Sequence, residues 1–265
     1  MTDLTETQIR RYARHIVLKE MGGVGQARLL GARVLVVGAG GLGSPLLLYL
    51  AAAGIGTIGV VDHDAVDLSN LQRQIIHGTE SVGRPKVASA AAAIGALNPD
   101  VQVVAHAQRL DAANALELVS AYDIVADGSD NFDTRYLVND ACYFARKTLV
   151  SAAILQFDGQ LSTFKPHAGG DHPCYRCLYA APPPAHMAPS CSSAGVLGSL
   201  AGTLGSLQAT EVVKELLGIG DSLSGQLLLY EALSATFRKL RFKRHADCAL
   251  CGDQPSILGL PARAA

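Results

Sequence analysis

The chain has 265 residues, enough for one large α/β domain or two modest ones, with a core that needs no disulfides. With 49% hydrophobic and 17% charged residues it is not a disordered chain, and a net charge of -1 gives no electrostatic case for nucleic acid or membrane surfaces. Any anionic ligand must therefore meet a local cluster of bases.

The N-terminal MTDLTETQIRRYARH mixes acids and bases without an apolar core, which argues against a secretory signal and for a cytoplasmic protein. Here Arg14 reads as one of several bases on an amphipathic surface helix, and so as solvated. Residues 34–61 carry no charge and are long enough to suggest a membrane span. Glycines and Pro45 interrupt them, however, and they split into β-rich, glycine-rich and Leu/Ala-rich pieces, the pattern of buried strands flanking a helix. Strands are predicted at 33–37, 57–61, 101–105 and 123–126, with helices at 42–53, 85–97, 112–120 and 131–146. This alternation implies right-handed βαβ units, a Rossmann-like, mainly parallel sheet with helices on both faces.

A further strand at 148–154 leads into the alternating 160–164. Residues 166–190 then become rich in Pro, Gly and His, which predicts a long irregular excursion rather than packed structure. The uncharged stretch 191–210 reads as a buried helix within 196–217, and 225–231 with 237–242 as an antiparallel pair. Without an internal repeat or a clear linker, 1–265 is expected to be a single domain. Residues 1–150 would be a nucleotide-binding half and 151–265 an antiparallel, partner-binding half.

Gly38, Gly40, Gly41 and Gly43 follow an apolar strand and open a helix, the context in which such a loop cradles a phosphate on free amides and the helix dipole. Asp62 ends the next strand, where an acid accepts hydrogen bonds from ribose hydroxyls. NAD is the default ligand of this unit. The following HDAVDLSNLQRQIIH and GRPK place Asn70, Arg73, Gln74 and Lys86 just beyond a strand end, within reach of phosphates. A dehydrogenase has little use for them, whereas transfer at the α-phosphate of ATP calls for Arg and Lys clamps plus a metal. In ADGSDNFDTR, Asp127 or Asp130 could hold Mg²⁺; Asp130 is favoured, with Asn131 capping the next helix.

Two CxxC pairs, Cys174/Cys177 and Cys248/Cys251, form a four-thiolate zinc signature. Neither pair is expected to open a helix after a strand, which weakens the redox alternative. With no open coordination position the zinc would be structural, and it could contribute about 10 kcal/mol to folding. Cys142 reads as core. Cys191 reads equally as a small loop residue or as a nucleophile near a helix start.

GAGGLGS, the pair Asp62 and Asp64, SNLQRQ, GRPK, DGSDNFDTR and the CxxC pairs, in this order over nearly the whole chain, resemble the bacterial ubiquitin-activating-enzyme-like adenylyltransferases. That family includes the molybdopterin-synthase (MoeB) and thiamine-pathway (ThiF) enzymes. The resemblance implies that Asp62 holds ribose, Arg73 and Lys86 hold phosphates and Asp130 binds Mg²⁺. It implies that Arg14, in RYARHI, reaches the ATP site of a second subunit, which makes a homodimer obligatory. Cys191 matches the cysteine that links some members covalently to their carrier. The expected reaction joins the C-terminal Gly-Gly carboxylate of a ubiquitin-like sulfur carrier to ATP and releases pyrophosphate, with 166–190 as a lid over the carrier's tail. An NAD-dependent oxidoreductase and a non-catalytic ATP- and zinc-binding scaffold are the rival readings.

Overall fold

The computed structural model describes residues 4–183 and 195–260. One eight-stranded sheet organises them, in the order β3-β2-β1-β4-β5-β6-β7-β8. Strands β1 (Arg33–Val37), β2 (Thr57–Val61), β3 (Gln102–His106), β4 (Ile124–Asp127) and β5 (Thr148–Leu155) run parallel. From β5 onward β6 (Asp158–Phe164), β7 (Gln226–Glu231) and β8 (Thr236–Arg241) alternate direction. The mainly parallel sheet with an antiparallel continuation is as expected, and the first two strands fall on the predicted bounds.

Consecutive side chains of a strand point to opposite faces, and the parallel strands here are apolar on both. Val34, Val36, Ile124, Ala126, Val150 and Ala152 join one core, whereas Leu35, Val37, Val125 and Leu149 join the other. The first core is completed by α3 (Gly22–Gly31), α4 (Gly43–Ala53), α5 (Lys86–Leu97) and α9 (Gly198–Leu217). The second is completed by α6 (Ala115–Ser120), α7 (Phe132–Phe144) and Tyr175 of the short α8 (Tyr175–Leu178). Two short helices, α1 (Glu6–Arg11) and α2 (Ala13–Ile16), precede them. The uncharged stretch 34–61 is thus β1, α4 and β2, and among the described residues no helix is long and apolar enough to cross a membrane.

One expectation is corrected. Residues 166–179 are not simply irregular: Cys174 and Tyr175 are buried, and the Tyr175 ring packs edge-on against Tyr136 and Phe164. Aromatic packing and the cysteine cluster order a Pro- and Gly-rich segment that composition alone marks as loop. Cys174 is the N-cap residue of α8, but no strand directly precedes that helix, so the expectation that neither pair opens a helix after a strand stands. The remainder of the expected lid, 184–190, and Cys191 lie outside the described residues.

Candidate active site

A cleft of about 250 Å³ opens at the carboxyl ends of β1, β2 and β4, the place where an open α/β sheet binds its ligand. Its walls carry Gly38, Gly40, Gly41, Asp62, Asp64, Arg73, Gln74, Lys86, Asp130 and Asn131, so ten of the predicted residues share one cavity.

The loop is built to close tolerance. Gly38 has φ +92°, open to glycine at no steric cost, and a Cβ on Gly43 would stand 1.9 Å from the Gly38 carbonyl oxygen. Gly43 itself is the first residue of α4 rather than part of the cavity lining. Asp62 Oδ2 accepts the Ala39 N–H at 2.8 Å and its Oδ1 accepts the Asp64 N–H at 2.9 Å. The carboxylate just after β2 therefore holds the glycine loop that follows β1 from the side.

Lys86, at the start of α5, is buried and its Nζ lies 2.8 Å from Asp64 Oδ2. Partial burial works to raise the Asp64 pKa, but the hydrogen bond and charge of Lys86, with His63 adding to them, hold it below the usual carboxylate range. Arg73 Nη1 donates to the Ser69 carbonyl at 3.1 Å, which leaves most of its donors for the cavity. Gln74 is buried, yet its Oε1 has no partner, an acceptor that suits a hydroxyl or amine of a bound ligand.

The two acids after β4 divide in a physically clear way. Asp127 is fully buried and accepts from Ser151 Oγ and the Ser129 N–H, and burial pushes its pKa up despite the Arg135 charge and those hydrogen bonds. Asp130 is exposed on the cavity wall, free to meet a cation, while Asn131 Oδ1 accepts the Thr134 N–H and caps α7. From α9, Gln208 donates to the carbonyls of Asp127 and Val150, at 2.8 and 2.9 Å, and ties the end of β4 to β5.

Other predicted residues lie elsewhere. Asn70 is outside the lining, and its Oδ1 accepts the Asp67 N–H in a capping box around residues 68–70. Arg14 is exposed on α2 and is not part of this chain's cavity. Gln108, Arg109 and Leu110, just past β3, were not singled out from sequence but line the cleft; the strand-end rule applied to β3 would have found them. Arg135 was also passed over. It is buried, lines this cleft and a small cavity beside Tyr175, donates to the Ser129 carbonyl and leaves Nε unpartnered.

Away from the cleft, Cys174, Cys177, Cys248 and Cys251 are all buried, with one ligand atom from each within 4.8 Å of the others. Sulfur separations of 3.4, 3.6 and 3.9 Å fit the edges of a tetrahedron with bonds of about 2.3 Å. The His245 N–H donates to Cys177 Sγ, an outer-shell bond typical of a metal thiolate, so the four residues fit a structural metal ion. Cys142 is buried in the second core, as expected.

The model of the ThiF family matches residues 12–250. A sulfur carrier protein adenylyltransferase of Thermus thermophilus is 53% identical over 254 residues, 95% of this chain and 94% of that protein. The SAMP-activating enzyme E1 of Haloferax volcanii is 50% identical over 94% of this chain and 91% of its own. Bovine adenylyltransferase and sulfurtransferase MOCS3 is 54% identical over 97% of this chain, which spans only 56% of that longer relative. In three dimensions the chain resembles a crystal structure of E. coli MccB bearing ATP, with a TM-score of 0.78 at 22% identity over 94% of this chain and 75% of that one. With its glycine loop, strand-end acids and paired cysteines, the chain belongs to the ThiF family.

Proposed function

We propose that this protein is an ATP-dependent adenylyltransferase that activates the C-terminal Gly-Gly carboxylate of a ubiquitin-like sulfur-carrier protein. The observation that carries the reading is the convergence on one cleft of a glycine loop, two cationic side chains, Arg73 and Lys86, and an exposed acid, Asp130. A dinucleotide used for hydride transfer does not need that charge, whereas a triphosphate does. The Thermus thermophilus relative, a sulfur carrier protein adenylyltransferase matched along almost its whole length, supports the choice of acceptor.

In the proposed reaction a carboxylate oxygen of the carrier attacks the α-phosphorus of ATP, the bond to the β-phosphate oxygen breaks, and pyrophosphate leaves with the electron pair. The product is an acyl adenylate. The carboxylate is already ionised near neutral pH, so no general base is required. The loop amides and the start of α4 receive a phosphate, Asp62 receives ribose hydroxyls, and Arg73 and Lys86 neutralise charge that builds on the phosphates. Lys86 reaches the phosphates from its pair with Asp64, and Asn70 braces the turn that carries Arg73. Mg²⁺ would screen phosphate charge, with Asp130 as its protein ligand.

The four-cysteine cluster would hold Zn²⁺ as a structural ion. A homodimer would bring Arg14 of one subunit to the cleft of the other, and Cys191 would be the residue to form a covalent adduct with the carrier.

Exchange of labelled pyrophosphate into ATP, with MoaD-like and ThiS-like carriers in parallel, is the test. Exchange should depend on carrier and fall at least 100-fold in Arg73→Ala and Asp130→Ala, as expected when a charge-stabilising group is removed. Absence of exchange with any Gly-Gly carrier leaves the scaffold reading. Hydride transfer with NAD would establish the oxidoreductase instead.

A further inference from the structure

His77 has no part in the reading above, yet it is buried under the glycine loop and both its ring nitrogens are engaged. Nε2 lies 2.9 Å from the Ala39 carbonyl oxygen, and Nδ1 lies 2.9 Å from Ser89 Oγ on α5. A carbonyl can only accept, so Nε2 carries the proton. In the neutral ring Nδ1 then accepts, and the Ser89 hydroxyl donates to it. The result is one directed chain, from the Ser89 hydroxyl through the imidazole to the loop backbone.

A trans peptide points its C=O and the following N–H in opposite directions. His77 draws the Ala39 carbonyl inward and so turns the Gly40 N–H outward, toward the cleft that Gly40 lines. The preceding peptide is fixed as well, because its N–H at Ala39 donates to Asp62 Oδ2. Both peptides flanking Ala39 are thus locked, one by the Asp62 acceptor and one by the His77 donor. Glycines on either side of Ala39 leave the backbone free to rotate when that lock is lost.

We infer that His77 is a positioning residue for adenylyl transfer: as a neutral Nε2–H donor held by Ser89, it orients the 39–40 peptide so that the Gly40 amide meets a phosphate oxygen. This deepens the adenylyltransferase reading and rests on it. The groups that face the ring charge-wise are Lys86, which disfavours the imidazolium, and Asp62, which favours it; burial, the largest influence, keeps the ring neutral.

The test compares His77→Gln and His77→Met, side chains of similar length that differ in having an N–H donor. Pyrophosphate exchange is followed as kcat and as KM for ATP and for carrier, with urea unfolding on the same samples. Gln should stay within about threefold of the parent. Met should lose on the order of 100-fold in kcat, the size seen when a donor to developing charge is removed, with KM for carrier unchanged. Ser89→Ala, which keeps the Nε2–H donor but leaves Nδ1 unpartnered and the ring less firmly held, should lose several-fold. That variant decides the matter if the Met protein does not fold.

Equal exchange by the Met and Gln proteins, or unchanged exchange by Ser89→Ala, overturns the inference. No exchange by the parent protein, in contrast, rejects the adenylyltransferase reading itself.

Discussion

Replacing Gly43 by alanine probes how tightly the loop and α4 are joined. The added Cβ would stand 1.9 Å from the Gly38 carbonyl oxygen and 2.9 Å from its carbon, both of them backbone atoms with no rotamer to escape into. Ordinary contact begins near 3.4 Å, so the loop and the helix start must part by about 1.5 Å. Such overpacking costs about 1–3 kcal/mol of stability. Moving the loop amides proposed to bind phosphate by about 1 Å should weaken function on the order of 100-fold. Gly95 is the control: it lies within α5 and a Cβ there meets nothing within 4 Å, so Gly95→Ala should stabilise by about 0.5–1 kcal/mol through helix propensity. Urea unfolding and calorimetric titration with ATP read both effects. A Gly43→Ala protein with the parent's midpoint and an ATP affinity within threefold of it would refute the steric argument.

Arg176 donates to both oxygens of the buried Asp140, at 2.8 and 2.7 Å, and ties the Cys174–Cys177 turn to α7. Arg176→Met should cost about 3 kcal/mol in urea unfolding because it strands a buried carboxylate; no loss would show that water reaches Asp140. Cys248→Ser should abolish a metal stoichiometry of about one per chain and lower the melting temperature, and retention of full metal content by elemental analysis would remove these cysteines as ligands.

His77, His106 and His167 are all held below the ordinary histidine pKa, chiefly by burial. The unfolded chain therefore takes up protons first, so stability is complete above about pH 6.5 and is lost as pH falls through that value toward the folded-state pKa values. Urea midpoints should drop between pH 7.5 and 5.5, and less so in His106→Gln; midpoints that rise on acidification contradict this.

Periodicity and punctuation made the parallel half of the sheet legible, because β1 and β2 are unbroken apolar strands and the glycine loop stands between them. The Asn131 cap and the cysteine cluster were legible for a similar reason: each is a local pattern tied to one chemistry. What stayed hidden depends on side chains meeting across the fold. Asn70 sits among ligand-like neighbours, but an acceptor two residues past Leu68 serves its own turn first. Lys86 is spaced like a phosphate clamp, and nothing in its spacing reveals the pair with Asp64. His77 follows two isoleucines with no motif of its own, and its partners Ala39 and Ser89 are brought to it only when the loop after β1 and α5 pack. The order of residues 172–179 likewise comes from distant Tyr136 and Phe164, whose contribution no local window contains.

Strand β5 is bonded in parallel to β4 on one side and antiparallel to β6 on the other. It belongs at once to the half that carries the glycine loop and to the half that would receive a partner, and a cut near residue 150 passes through it. Neither half can be exchanged for a foreign module at that seam without opening a buried strand edge on both pieces. Variation in what the protein recognises is therefore left to surface substitutions and to segments inserted between strands, such as the parts of the β6–β7 connection outside the core helix α9 and the buried cysteines. Diversity here has to be inserted into the scaffold, because it cannot be appended across that strand.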